Sequence, residues 1–198
     1  MIPARANLGE AVWRRVASID QRLLLSVRRL ESRWMTRLMR SLTHLGDTGS
    51  WVLLGLALDF SGGEGGRHCA LLGTAAGLAL LISQPLKRLC CRRRPSSGIG
   101  GFAALAENPD VFSFPSGHTA VAFAVAAAFA GQAGLLGGLA LALAVGIGVS
   151  RVYLGAHYPL DVAAGVLVGT VAGTAARLCV LQFPLLKLAG YATLAAVS

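Results

Sequence analysis

Two histidines, one carboxylate and a set of cations stand at spacings that suit phosphoryl chemistry. His157 is followed four residues later by Asp161, Ser116-Gly117-His118 forms a second polar group, and Ser150-Arg151 forms a third. Lys87 and Arg94 bound a basic run that also holds Arg88, Arg92 and Arg93. Lysine and arginine supply charge and forked donors matched to phosphate oxygens. A helix starting at Ser116 would add free N–H groups and a positive dipole end. A carboxylate on one ring nitrogen of His157 would fix the tautomer and make the other nitrogen a better nucleophile. His118, from a different segment, could pass a proton to a leaving oxygen. Cations around the equatorial oxygens would stabilise the charge that spreads during phosphoryl transfer. Asp161 is engaged by His157, and Glu107 and Asp110 read as solvated loop residues, so neither a metal nor any other cofactor is expected.

Residues so far apart in the chain need a scaffold that gathers them. Of the 198 residues, 55% are hydrophobic, and mean hydropathy is +0.63. Cys69–Leu86, Gly117–Ser150 and Val162–Ala176 contain no Asp, Glu, Lys or Arg. Runs near the ~20 residues that cross ~30 Å of hydrocarbon read as transmembrane helices. The expectation is an all-α, polytopic membrane bundle of about five to six transmembrane helices, at roughly 42–60, 68–86, 115–131, 134–151 and 159–177. Pro115 and Pro159 suit first-turn positions, where a missing N–H costs little. Successive antiparallel helices then carry the end of the second, the start of the third, the end of the fourth and the start of the fifth to one membrane face. Clustered ionisable groups at hydrocarbon depth mark a site more often than they mark snorkelling side chains.

Net charge is +9, and nine arginines lie between Arg5 and Arg40. Interleaved with apolar residues at helical spacing, they describe an amphipathic helix or helix pair in the membrane interface, residues 1–41. The phosphatase-like body follows at 42–182, with an apolar tail at 183–198. Beside membrane spans, such basic clusters contact anionic lipid and do not point to nucleic acid. The arm and the catalytic face share one side, which the positive-inside rule makes cytosolic, in a multi-pass protein of the cell's inner membrane. Cys69, Cys90, Cys91 and Cys179 contain no CxxC pair and fit no zinc site. No signal-peptide core interrupts the arginines.

These residues resemble the type 2 phosphatidic acid phosphatase (lipid phosphate phosphatase) superfamily, whose three-part signature is K-x6-RP, PSGH and SR-x5-H-x3-D. Here it stands as Lys87 to Arg94-Pro95, Pro115-Ser116-Gly117-His118, and Ser150-Arg151 to His157 to Asp161. The resemblance implies hydrolysis of a lipid phosphate or diphosphate without metal. His157 would be the nucleophile, Asp161 its partner and His118 the general acid. Lys87, Arg94, Ser116, Gly117 and Arg151 would hold phosphate, supported by Pro95, Pro115 and Ser150. A phosphotransferase with an acceptor other than water and a catalytically silent scaffold are the competing readings. Vanadate haloperoxidases share the motifs but are soluble. Two clear spans precede the first motif, fewer than in six-span relatives. The sequence gives no reading of oligomeric state.

Overall fold

The computed structural model describes residues 8–106, 110–130 and 135–195. Every regular element among them is a helix: α1 Leu8–Arg28, α2 Arg33–Leu45, α3 Thr48–Phe60, α4 Gly65–Cys90, α5 Pro95–Gly98, α6 Gly117–Phe129, α7 Leu135–Tyr153 and α8 Pro159–Ala195. A single isolated bridge joins Arg93 and Phe112. The all-helical expectation holds. Two segments, Gly65–Cys90 and Pro159–Val180, are long and apolar enough to cross a membrane, while α3, α6 and Gly137–Tyr153 are shorter apolar helices.

The basic arm is a helix pair. α1 leaves Val12, Trp13, Ile19 and Leu23 exposed and buries Asp20 and Leu24 against the body. Ser32 caps α2 by accepting the Met35 N–H at 3.2 Å. Two helix boundaries differ from expectation. α2 continues to Leu45, so Leu42 and Thr43 belong to the arm and the next helix begins only at Thr48. The break lies at Gly46-Asp47, where Gly46 ends α2 and Asp47 is extended, with Ser50 Oγ bonded to the His44 carbonyl at 2.7 Å. At the other end, α8 does not stop near Arg177 but runs through Pro184 to Ala195.

α6 is the centre of the core and packs on α8, α7 and α4. Its alanines, Ala120, Ala124 and Ala128 among them, are buried. The facing stripe of α8 is Gly165, Gly169 and Gly173, one residue per turn. A Cβ at Gly165 would fall 2.7 Å from the Ser116 carbonyl, and one at Gly169 or Gly173 would overlap the carbonyls of Ala120 and Ala124. Small residues at this spacing let apolar helices meet backbone to backbone, gaining dispersion contacts without a water-driven force. The stripe sets α6 and α8 side by side with both N-termini at one end. There the Ser116 N–H donates to the Asp161 carbonyl at 3.0 Å.

Candidate active site

α8 starts with an arrangement that fixes its acid. Pro159 takes the first helical position, and Asp161, two residues on, reaches back so that Oδ2 accepts the Tyr158 N–H at 2.8 Å. That is the reciprocal half of a capping box. The preceding turn needs Gly155, whose φ is +70° and where a Cβ would press into the Phe102 ring. The N–H groups of Ala156 and His157 both donate to the Arg151 carbonyl, at 3.1 and 3.2 Å. His157 is thereby held between the helix that ends in Arg151 and the one that begins with Asp161.

His157 is 1% exposed. An Arg94 guanidinium nitrogen lies 3.3 Å from its Nε2, and the same nitrogen donates to the Ala156 carbonyl at 2.8 Å. Guanidinium has only donors, so Nε2 must carry the lone pair and Nδ1 the proton. Nδ1 faces Asp161 Oδ2 at 3.7 Å, an ion-pair distance and longer than the hydrogen bond expected from sequence, and it is buried with no hydrogen-bond partner among the described residues. Asp161 is instead spent on Tyr158 and on Arg92, which reaches Oδ1 at 2.6 Å. Burial pushes the His157 imidazole down to about 3, with the Arg151 and Arg94 charges acting the same way and Asp161 opposing. The ring is therefore neutral, with Nε2 available.

The other signature residues gather at the same end. Lys87 and Arg94 are buried. Arg151, also buried, donates to Thr43 Oγ1 at 2.6 Å and lies within electrostatic reach of both His118 and His157. The Lys87 ammonium sits 3.8 Å from where a Cβ on Gly117 would project, an ordinary van der Waals contact that sets the lysine beside the start of α6. Ser116 is the N-cap of α6, but its N–H is taken by Asp161, leaving Gly117 and His118 as the open donors of that helix start. Ser150 turns its hydroxyl onto the Ile147 carbonyl at 2.7 Å and supports α7 from within. Pro95 opens α5 and, like Pro115, is fully buried.

Four residues not assigned to the site from sequence enter it. Asp110 is no solvated loop acid: its carboxylate binds Lys87 and approaches Arg94 at 3.9 Å, and its carbonyl accepts Arg94 Nε at 2.6 Å. The hydrogen bond from Lys87 holds the Asp110 carboxyl below the usual carboxylate range, with Arg94 adding to the effect. A carboxylate clasped by two buried cations shows that this place takes an anion. Glu107 lies outside the described residues. Arg92, grouped with the basic run, bridges Asp161 to Asp20 of α1 at 2.5 Å and stacks 4.3 Å over the Tyr158 ring. Asp20 also accepts the Leu160 N–H at 2.9 Å. Asp47 bonds His118 Nε2 at 2.8 Å. The only sequence signal for these acids is their scarcity, nine Asp and Glu in the whole chain.

A cavity of about 790 Å³ opens from this cluster, lined by Asp47, Lys87 and His118 at one end and by Leu56, Leu72 and Leu80 further along. Polar at the head and apolar along its length, it suits an amphiphile. Among the described residues, no three of His, Cys, Asp or Glu are grouped to hold a metal ion.

Residues 69–184 match the PAP2 superfamily. A decaprenylphosphoryl-5-phosphoribose phosphatase from Mycobacterium tuberculosis is 33% identical over 135 residues, 68% of this chain and 74% of the relative. Among solved structures, a transmembrane PAP2-type phosphatidylglycerolphosphate phosphatase from Bacillus subtilis superposes with TM-score 0.65 at 27% identity, covering 82% of this chain and 84% of the other. LpxE from Aquifex aeolicus superposes with TM-score 0.70 at 25% identity, covering 78% and 92%.

Proposed function

The chain belongs to the PAP2 superfamily, and on that footing we propose that it is a membrane lipid phosphatase that cleaves a phosphomonoester or diphosphate through a phosphohistidine on His157. The observation that carries this reading is the Arg94 contact to His157 Nε2, beside a cation-rich anion site at the head of an apolar cavity. The phosphate displaces the Asp110 carboxylate from Lys87 and Arg94, and its oxygens take Lys87, Arg94, Arg151 and the N–H groups at the start of α6. The Nε2 lone pair forms an N–P bond as the P–O bond to the lipid breaks, and the electron pair of that bond leaves with the lipid oxygen. His118 protonates this oxygen. In the second step, water attacks phosphorus, His118 takes its proton, and the N–P bond returns its electrons to His157. Cations and helix N–H groups supply the electrostatic stabilisation, so no metal enters either step.

The candidate lipids are polyprenyl diphosphate, phosphatidate and phosphatidylglycerol phosphate. Purified protein in detergent, given each in the presence of EDTA, is expected to release phosphate from at least one at an undiminished rate. Activity lost to EDTA and restored by Mg²⁺ would overturn the mechanism.

We further propose a multi-pass arrangement in the inner membrane, with α3, α4, α6, α7 and α8 as crossings, α1 and α2 in the interface, and the site facing the cytosol. Support comes from the arm's packing on the catalytic end. Arg28 and Arg40 bond the Ala103 and Leu105 carbonyls, at 3.0 and 3.1 Å. The Ser32 N–H bonds the Tyr153 hydroxyl at 3.1 Å. This puts the arginine-rich segment on the side that the positive-inside rule assigns to the cytosol. Cys90 is exposed at the same end. Retained as the only cysteine, it should resist an impermeant thiol reagent in intact cells and react after permeabilisation; labelling of intact cells would reverse the orientation.

A further inference from the structure

Asp47 stands where an aspartate ordinarily caps a helix, at the N-cap of α3, yet its side chain makes no capping hydrogen bond. The carboxylate is turned the other way. Oδ1 meets His118 Nε2 at 2.8 Å, and Oδ2 meets His44 Nδ1 at 2.9 Å. The turn that carries it is built for this approach. Trp51 Nε1 donates to the Gly46 carbonyl at 3.1 Å. A Cβ at Gly46 would lie 3.0 Å from Ile147 and 3.3 Å from the His118 ring. The turn therefore packs directly against the imidazole, and no larger residue fits at 46 without moving it. Burial pushes the Asp47 carboxyl up, but its bonds to His44 and His118 outweigh this and hold it below the usual carboxylate range. It is an anion in place.

We propose that Asp47 is a positioning residue for proton transfer, holding His118 through Nε2 so that Nδ1 is the nitrogen that exchanges a proton with the lipid oxygen and then with water. The proposal rests on His118 being the general acid. A carboxylate has only acceptors, so Nε2 must be the N–H in both steps. When Nδ1 gives up its proton to the leaving oxygen, the tautomer left behind has a lone pair on Nδ1, the form required to accept a proton from the attacking water. One hydrogen bond thus suits the ring to both halves of the cycle without reorientation, as the orienting carboxylate does for the histidine in hydrolase triads. The pairing spans 71 residues of sequence, from the end of the arm to the start of α6.

The test separates an effect on proton donation from a loose site. An alkyl phosphate and a nitrophenyl phosphate with the same alkyl tail are compared by kcat/KM, which reports the steps through formation of the phosphoenzyme. The nitrophenolate leaves without protonation, whereas an alkoxide does not. Asp47→Asn is expected to slow the alkyl phosphate about 10- to 100-fold, a part of the ~10²–10⁴ supplied by a general acid. The nitrophenyl substrate should change by less than about threefold. His118→Ala should show the same selectivity at larger amplitude, and adding Asp47→Asn to it should cost nothing more. If His118→Ala slows both substrates equally, the general-acid reading itself fails. If His118→Ala is selective while Asp47→Asn is silent or slows both substrates alike, His118 keeps its role and the proposal for Asp47 is wrong.

Discussion

Substitution of His157 by alanine is expected to reduce phosphate release from lipid substrates by on the order of 10⁴- to 10⁶-fold, the loss that follows when the nucleophile of a group acting as a unit is removed. Nothing else near the anion site can replace it. Lys87, Arg94 and Arg151 are cations without a lone pair, the Asp110 carboxylate is the group that the phosphate displaces, and His118, held by Asp47 through Nε2, is committed to proton transfer through Nδ1. The variant should still fold, because among the described residues the ring's hydrogen-bonding contact is the one from Arg94 and the turn around it is held by main-chain bonds to Arg151. Orthovanadate or phosphate should therefore still protect the variant against thermal unfolding in detergent. Rapid quenching with ³²P-labelled substrate should trap an acid-labile, base-stable phosphoenzyme in the parent protein and none in the variant. A labelled phosphoenzyme in the alanine variant would end the assignment. The pH behaviour follows with a definite sign. Protonation of Nε2 removes the nucleophile, and burial holds this imidazole down to about 3. The free enzyme's kcat/KM should thus show no acid limb from His157 at pH 5 to 7, where an exposed histidine would produce one.

The second large effect is expected at Arg92, and it falls on stability as much as on rate. Asp161 is 0% and Asp20 4% exposed, and Arg92 is the cation between them. Replacing Arg92 with leucine leaves two carboxylates facing each other away from water. Orphaning one partner of a buried pair costs about 3–5 kcal/mol. The second acid adds repulsion and raises the tendency of Asp161 to take up a proton. Arg92→Leu should lower the thermal midpoint in detergent steeply and reduce kcat. Arg88→Leu and Arg93→Leu, at exposed positions of the same run, should stay within about 0.5 kcal/mol. The double variant Asp20→Leu, Arg92→Leu should recover part of the stability, since it removes one of the two unpaired charges. If Arg92→Leu behaves like its exposed neighbours, the bridge to α1 has no energetic role.

The difference between Arg92 and Arg93 also marks the limit of what the chain discloses on its own. The spacing of Lys87 to Arg94, of the residues from Pro115 to His118, and of Ser150 to Asp161 is local and can be read directly. The apolar runs between them place helix ends at a common level. Partners drawn from distant segments leave no such trace. Asp20 meets Arg92 across 72 positions and Asp47 meets His118 across 71, and neither separation follows a helical or strand period. Asp110 reads as solvated because it stands in a loop between helices; the two cations it binds come from the end of α4 and the segment after it. Boundaries fail for a related reason. Leu42 and Thr43 are as compatible with the end of α2 as with the start of α3, and only the closure of the Gly46 turn against Ile147 and His118 decides between them. Pro184 suggested a break, yet a proline removes just one N–H from a long helix and α8 continues past it.

The glycine stripe of α8 has a bearing on which substitutions the site tolerates. With no side chain between α6 and α8 at Gly165, Gly169 and Gly173, the gap between the segments that carry His118 and His157 is dictated by main-chain atomic radii. Positions such as Leu167 and Val171 point away from that seam and are exposed. On the proposed membrane reading, substitutions at these outward positions should leave the spacing between the starts of α6 and α8 unchanged, whatever the thickness of the surrounding bilayer.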